Sequence, residues 1–423
     1  MKKWALFPVL FFLTIYMGFS EEFQDFYGNL NEFLARYGDP NTGLTVFPTL
    51  LIPIGGEYEG MATAYTAVSN STGFIESNPS ASSQLAYTEL AFVHNNYIEE
   101  TNFEGIIYTM RFNDLGIGFG GKYLYAAFTE YDNFAEPVNT GYYSETIATL
   151  NLSYNFFSGY YFYGLALGTN VKLAYRHIPE YFAAGQSAFA PILDFGMLTR
   201  FNLLKFYASR SRNFSIGVVL KNFGFLVLGE PLPTTATAGI AYSPIRPITL
   251  ALDFNYPISF YSEYPAEQWN IASGLNIVFA DFFSIHSGVQ FRGASPRIVI
   301  GSTLTINQVN LTTNYTLDLL TQPQSPGDRF SIQASMNLGD RGRAAIQARI
   351  EELYLEGLEL YANGQLIEAV QKLEEAVELD PSFGPAKATL RTVRRAIELQ
   401  REMEESQQIE RGAETEETDE EPA

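Results

Sequence analysis

Residues 297–338, RIVIGSTLTINQVNLTTNYTLDLLTQPQSPGDRFSIQASMNL, contain three segments in which apolar and polar side chains alternate. In the middle segment Leu311 and Tyr315 share one parity, whereas Thr312 and Asn314 share the other. A period of two indicates extended strands with one apolar and one polar face. A soluble β-sandwich would give the same pattern, so the fold class depends on how far the alternation extends and on what flanks it.

The alternation continues upstream through most of the chain and predicts about fourteen strands in total. They lie near residues 87–95, 103–112, 115–128, 144–157, 159–177, 189–201, 214–223, 234–243, 248–256, 268–280, 282–292, 297–306, 309–320 and 328–338. Many reach the roughly 9 to 11 residues that a tilted strand needs to cross a bilayer. Short turns such as Asn113-Asp114 alternate with long loops such as 129–143, as in outer-membrane barrels. The sequence therefore predicts a membrane β-barrel of about fourteen antiparallel strands at 87–338, with both chain ends on the short-turn side.

Charged side chains within the predicted strands are expected to point into the barrel. A charge on the lipid-facing side costs a few kcal/mol near the middle of the bilayer. The inward cations, which are candidates for binding a ligand's head group, are Arg111, Lys122, Lys172 and Arg176. The carboxylates on inward parities are Asp194, Asp253 and Asp318. The alternative role for all of these groups is to pair with one another and fill the lumen.

Composition and spacing argue against several classes of function. The 423-residue chain carries a formal net charge of −21, which disfavours nucleic acid as a partner. It contains no cysteine, which excludes disulfides, thiol catalysis and thiolate metal sites. Its three histidines lie in separate predicted strands without metal-ligand spacing, so we expect no catalytic residue, no metal and no cofactor. A hydrolase assembled across strands, with His286 facing inward beside Ser284, is the enzymatic alternative.

The chain begins with a targeting pattern. Two lysines precede an apolar run from Trp4 to Phe19, and small residues follow. This pattern predicts a secretory signal peptide at 1–20, with an uncleaved anchor as the alternative. Residues 21–86 have no lasting periodicity, and within them Asn78-Pro79-Ser80 is a turn signal.

Three motifs lie in a fixed order before and at the start of the predicted barrel. They are Gly60-Met-Ala-Thr-Ala-Tyr-Thr-Ala67, Ser77-Asn78-Pro79-Ser80-Ala81 and Leu90-Ala-Phe-Val-His94. This order, followed by about fourteen strands, resembles the FadL-type long-chain fatty-acid transporters of outer membranes, and within them a spirochaete branch, across residues 40–338. The Asn78-Pro79 turn matches the Asn-Pro-Ala of that family's plug, with Ser80 in place of alanine. The resemblance implies an N-terminal plug at 21–86 inside the barrel and a hydrophobic ligand that leaves through a gap in the wall, but it transfers no ligand-contacting residue.

A helical period replaces the alternation after Arg343. Residues with the spacing of a 34-residue tetratricopeptide repeat are Gly357, Ala369, Ala376 and Pro381. They predict a small all-α tetratricopeptide-like domain at 343–400, capped by a helix near 385–398, with a generic helical hairpin as the alternative. One repeat is below the usual three, so we expect it to lean on another surface. Residues 401–423 hold ten acids against two bases, which predicts an acidic, disordered tail.

Two functions from different classes fit these features. The first is an outer-membrane transporter of hydrophobic or amphipathic small molecules, above all long-chain fatty acids, that is surrounded by outer-membrane lipid. The second is a scaffold or adaptor for secretion or envelope assembly. In it the barrel is mainly an anchor, and residues 343–400 bind a periplasmic protein. A general diffusion porin is disfavoured because about 60 residues before the first strand resemble a plug.

Overall fold

The computed structural model describes Asn29 and residues 39–96, 101–207, 211–294, 296–319 and 328–418. The predicted signal peptide and all but one residue of the segment 21–38 lie outside these ranges. Within the described ranges, no helix has the length and apolar character needed to cross a membrane. The chain divides into two compact units, of which the second begins at Asp340 and also includes Phe157–Tyr163.

Fourteen antiparallel strands form a closed barrel, in which each strand pairs with its sequence neighbours and β1 pairs with β14. The strands are β1 (Glu89–Asn96), β2 (Asn102–Phe112), β3 (Leu115–Tyr131), β4 (Pro137–Phe156), β5 (Leu165–His177), β6 (Ala188–Phe201), β7 (Phe214–Phe223), β8 (Thr235–Tyr242), β9 (Ile248–Pro257), β10 (Asn270–Ala280), β11 (Phe283–Phe291), β12 (Arg297–Ile306), β13 (Val309–Asp318) and β14 (Arg329–Asn337). Closure leaves no strand edge unpaired, which a hydrocarbon environment requires. The predicted fold class is confirmed.

The two faces of the wall are as the alternation predicts. In β13, Thr312, Asn314 and Thr316 are buried on the inner face, while the apolar parity faces outward. Outward aromatic residues lie near both strand ends, for example Phe156 at the short-turn end and Tyr256 at the opposite end. Aromatic girdles of this kind flank the apolar band of membrane barrels.

The largest departure from the predicted strand bounds is at β3 and β4. Both continue through the predicted loop 129–143, so that their connection shrinks to 132–136. Tyr131 and Tyr142 are both 61% exposed in this hairpin. Because residues 131–138 are all exposed, alternation is not required there and the sequence pattern gives no sign of a strand. The predicted strand at 159–177 begins only at Leu165, since residues 157–163 belong to the second unit.

The described part of the N-terminal segment, residues 39–86 and here called the plug, consists of short helical turns. These are α1 (Gly56–Gly60), α2 (Phe74–Ser77) and 3-10 turns at Pro48–Leu50 and Pro79–Gln84. Its apolar side chains share one core with the inner wall, in which Ile54 and Phe74 pack together with Val93, Phe103 and Ile107. The plug therefore fills the lumen with apolar contacts that the polar inner face cannot supply alone.

The second unit contains three helices, α3 (Arg343–Ala362), α4 (Leu366–Leu379) and α5 (Gly384–Thr418). Gly357 of α3 contacts Leu373 of α4, and Ala369 and Ala376 are fully buried in the same core. Pro381 lies two residues after Leu379, the last residue of α4, in the connection to α5.

The predicted disordered tail is not observed over its described part. Helix α5 continues through residue 401 to Thr418 instead of ending near residue 398. Residues 401–410 consist mostly of Glu, Gln, Arg and Met, which are good helix formers. Arg401 and Glu405 also form an ion pair of 3.0 Å at the i,i+4 spacing. The acidic composition of residues 401–418 therefore did not predict their secondary structure correctly.

Candidate functional site

Glycines on the inner wall bring the plug into direct contact with the strands. A Cβ at Gly168 of β5 would collide with the Pro79 carbonyl, and one at Gly196 of β6 would collide with the side chains of Asn78 and Pro79. Only glycine allows such close backbone approach. The wall sequence thus fixes where the plug turn rests.

In the Asn78-Pro79-Ser80 turn, the side chain of Asn78 makes four hydrogen bonds. Asn78 Oδ1 accepts hydrogen bonds from Ser80 N at 3.2 Å and from Ser80 Oγ at 2.6 Å. Its Nδ2 donates to the Thr66 carbonyl at 2.9 Å and to the Met197 carbonyl of β6 at 3.0 Å. Asn78 thus caps the 3-10 turn at Pro79–Gln84. It also links this turn to Thr66 in another part of the plug and to Met197 in the wall.

Ionised side chains anchor the plug at two further places. Lys122 of β3 forms an ion pair with Glu76 of α2, and its ammonium also donates to the carbonyls of Thr49 at 3.2 Å and Ile52 at 2.7 Å. Asp253 of β9 accepts the Thr66 amide at 2.9 Å. These contacts are buried, where unpaired charges are costly.

A third anchor lies on β14. Glu59 of α1 accepts from Arg329 at 3.3 Å and from Ser331 Oγ at 2.6 Å. All three side chains are buried. The plug is therefore held by charged groups on β3, β9 and β14, around the whole circumference of the barrel.

A cavity of about 130 Å³ lies between the plug and the wall. Its apolar lining comes from plug residues that include Leu50, Leu51 and Ile54. Its wall residues include Lys221 and Gln290, which lie near the ends of β7 and β11. Odd-numbered strands end opposite the Asn113-Asp114 turn, so the cavity is displaced toward the end of the barrel that carries the longer connections.

The charged lining combines both signs. The cations are Lys122, Lys172, Lys221 and Arg297, and the carboxylates are Glu76 and Glu267. Polar amides and apolar side chains complete the surface, so the cavity can accommodate a ligand that has both a charged or polar group and an apolar part.

Two of the four predicted cations line this cavity. The ammonium of Lys122 binds Glu76 and two carbonyls of the plug, as described above. Lys172 donates to Asp194 at 2.7 Å and to Asn222 Oδ1 at 2.9 Å. The pairing of Lys172 with Asp194 matches the lumen-filling alternative rather than ligand binding.

The other two predicted cations are not part of the cavity lining. Arg111 donates to the carbonyls of Asn113 at 2.5 Å and Leu85 at 3.2 Å, near the short-turn end. Arg176 is buried and donates to the Gln186 carbonyl at 3.2 Å. Each guanidinium holds a connection or the plug end in place.

The sequence reasoning missed Lys221 and Arg297. Lys221 follows Ser215, Gly217 and Val219 on the inward parity of β7, so the alternation that identified the other cations could have found it. A β-bulge follows it: Asn222 has φ 57°, its amide donates to Asp194 Oδ1 at 2.7 Å, and the β6–β7 register shifts there.

Two of the three histidines lie in different surroundings. Buried His286 is hydrogen bonded through Nε2 to Thr303 Oγ1 at 2.8 Å, and His94 lies on the outer face at 2.8 Å from Glu104. Among the residues that the structure describes, no group of three or more His, Asp or Glu side chains could hold a metal ion.

The fold and the cavity define a class, the closed fourteen-stranded membrane barrel with an internal plug. Residues 38–339 match the family described as "Uncharacterised protein family (UPF0164)", and the chain belongs to that family.

Known proteins of similar sequence come from Treponema pallidum (strain Nichols). One UPF0164 protein is 25% identical over 374 residues, with 84% of each chain covered. Another is 24% identical over 380 residues, which cover 84% of this chain and 76% of the relative.

Solved structures of similar shape include the CymD monoaromatic hydrocarbon channel, with a TM-score of 0.49, 10% identity, and coverage of 68% of this chain and 98% of that chain. The toluene transporter TbuX of Ralstonia pickettii has a TM-score of 0.44, 10% identity, and coverage of 67% and 97%.

Proposed function

We propose that this protein is an outer-membrane transporter for hydrophobic or amphipathic small molecules, exported by the signal peptide predicted at 1–20. The observation that carries the proposal is the cavity between plug and wall, which has an apolar side and a cationic side. Apolar burial would bind the ligand's tail, and charge-assisted hydrogen bonds would bind its polar group. No catalytic step is part of this proposal.

Long-chain fatty acids are the substrate class that the sequence favours. An engineered cavity of about 150 Å³ holds a benzene molecule. The cavity of about 130 Å³ would therefore contain the carboxylate and the first carbons of such a chain, while the remainder lies toward the longer connections. The cavity is then the site that binds the carboxylate head group.

Uptake of labelled long-chain fatty acid by cells that lack their own transporter tests the proposal. Cells that produce the protein should take up more label than cells that do not. Leu51→Trp, which fills the cavity, should reduce uptake, whereas Leu204→Trp, at a position 69% exposed on the connection after β6, should leave uptake unchanged. Equal uptake with and without the protein would overturn the proposal.

An adaptor function is the second candidate, and the independent core of the helical unit favours it. Its small residues at repeat spacing support a tetratricopeptide-like interpretation, and the family's matched range ends at residue 339, before this unit. Because β14 ends on the short-turn side, which is periplasmic in membrane barrels, we infer that the unit binds a periplasmic protein.

Deletion of residues 340–423 separates the two functions. If a protein that co-purifies with the full chain disappears while fatty-acid uptake continues, the helical unit is an adaptor and the barrel a transporter. Absence of any co-purifying protein from the full chain would contradict the adaptor function.

A further inference from the structure

Lys221 differs from the other lysines of the cavity lining. Its side chain faces inward from β7 and is only partly buried. Within the described part of the chain, its ammonium makes no hydrogen bond and no ion pair, whereas Lys122 and Lys172 make several each.

The three lysines also differ in how many of their N–H donors are in use. A lysine ammonium has three N–H donors. Lys122 directs its contacts to Glu76 and to the carbonyls of Thr49 and Ile52. Lys172 binds Asp194 and Asn222. Lys221 therefore has all its donors available to a molecule that enters the cavity.

The lumen-facing carboxylate of Asp253 on β9 has another role. Its Oδ2 already accepts the amides of Tyr65 at 3.0 Å and Thr66 at 2.9 Å, and it thereby holds the plug. The other oxygen, Oδ1, makes no hydrogen bond among the described residues and forms no ion pair with Lys221 there.

We propose that the cavity is a binding site for a compact carboxylate amphiphile, with Lys221 as the residue that receives the carboxylate. This inference rests on the transport proposal and deepens it, because it concerns the same cavity and assigns the residue that binds the ligand's carboxylate. The apolar part of the ligand lies against Leu50, Leu51 and Ile54 of the plug. A neutral hydrocarbon would exclude water from the Lys221 ammonium without offering it a hydrogen-bond acceptor, which is unfavourable.

Equilibrium dialysis with the full-length protein in amphipol tests the inference, using radiolabelled benzoate and benzyl alcohol as probes of similar size and different charge. We expect benzoate to bind at least about tenfold more tightly than benzyl alcohol, since a charge-assisted hydrogen bond is about twice as strong as a neutral one. Lys221→Gln should weaken benzoate binding at least about tenfold and leave benzyl alcohol unchanged, whereas Lys221→Arg should retain benzoate binding.

Lys387→Gln is the matched control, because Lys387 is exposed on α5. It should bind both probes as the wild type does. Equal binding of the two probes, undetectable binding of benzoate, or unchanged benzoate binding by Lys221→Gln would each overturn the inference. Thermal unfolding shows whether each variant is folded. If Lys221→Gln does not fold, benzoate binding by Lys221→Arg tests the inference.

The dialysis result is independent of the uptake experiment. Benzoate binding that depends on Lys221 without any fatty-acid uptake would refute transport and support the site. Uptake that persists in Lys221→Gln, together with equal binding of the two probes, would support transport and refute the site.

Discussion

At the scale of single residues, Lys122 shows how the plug converts an inward charge into an anchor. Its partners, Glu76 and the carbonyls of Thr49 and Ile52, all belong to the plug. Removing one member of a buried ion pair costs about 3–5 kcal/mol, because the remaining charge is left without compensation. We predict that Lys122→Gln lowers the midpoint of thermal unfolding in detergent, followed by circular dichroism.

A double variant separates loss of the pair from loss of packing. Replacing a buried pair by apolar side chains of similar volume is often neutral or stabilising, so Lys122→Met combined with Glu76→Leu should recover much of the loss. A Lys122→Gln protein that unfolds at the wild-type temperature would show that the ion pair does not hold the plug.

Gly196 gives a second prediction at this scale. Its Cβ in an alanine variant would lie 2.7 Å from Pro79 Cδ and 2.9 Å from Pro79 Cγ, and the rigid proline turn cannot yield easily. Overpacking of this kind costs about 1–3 kcal/mol. Gly196→Ala should therefore unfold at a lower temperature than Gly159→Ala, whose new Cβ would have, among the described residues, only the Phe162 carbonyl within 4 Å, at 3.9 Å. Equal unfolding temperatures would mean that the turn does not rest on Gly196.

At the scale of elements, α3 and α4 approach each other closely at Gly357. A Cβ at Gly357 would lie 2.8 Å from Leu373 Cγ and 2.9 Å from its Cδ2. Gly357→Val should destabilise the helical unit by about 1–3 kcal/mol, measured by urea unfolding of the full chain through helical circular dichroism. Ala348→Val places the same β-branched side chain at an exposed position of α3 and should cost less than about 1 kcal/mol. If both variants behave alike, α3 and α4 do not pack through Gly357.

The wall was predictable from sequence because each strand has one face toward the plug and one face outward. Strands β7 and β12 begin and end at their predicted residues, 214–223 and 297–306. The pattern fails where the two faces are no longer different, in the hairpin of β3 and β4 beyond the wall and in the exposed residues 401–408 of α5.

The candidate site was only partly predictable for a related reason. Alternation identifies which cations point inward, but it cannot tell which of them the plug neutralises. Lys122 meets Glu76 across 46 positions of sequence, and only the fold reveals that contact. Lys221 could have been found by parity, but only the structure reveals that it has no hydrogen-bond partner within the described residues.

At the scale of the whole molecule, barrel size and plug are linked. Barrels of about eight strands are filled by their own side chains, whereas those of about sixteen to eighteen leave an aqueous channel. Fourteen strands leave a lumen too wide for polar side chains alone. The core shared by the plug and the wall supplies the missing volume, so plug and barrel should unfold together in a single transition.

Deletion of residues 39–86 should consequently open the barrel to ions. We predict a higher single-channel conductance in planar bilayers for the deletion variant than for the full chain, together with a lower unfolding temperature. Altered gel migration on heating checks that the variant forms a barrel. If the deletion prevents insertion, combining Lys122→Gln with Glu59→Gln removes two anchors from an intact chain and should raise conductance in the same direction. Unchanged conductance in an inserted variant that lacks the plug would show that other parts of the chain close the lumen.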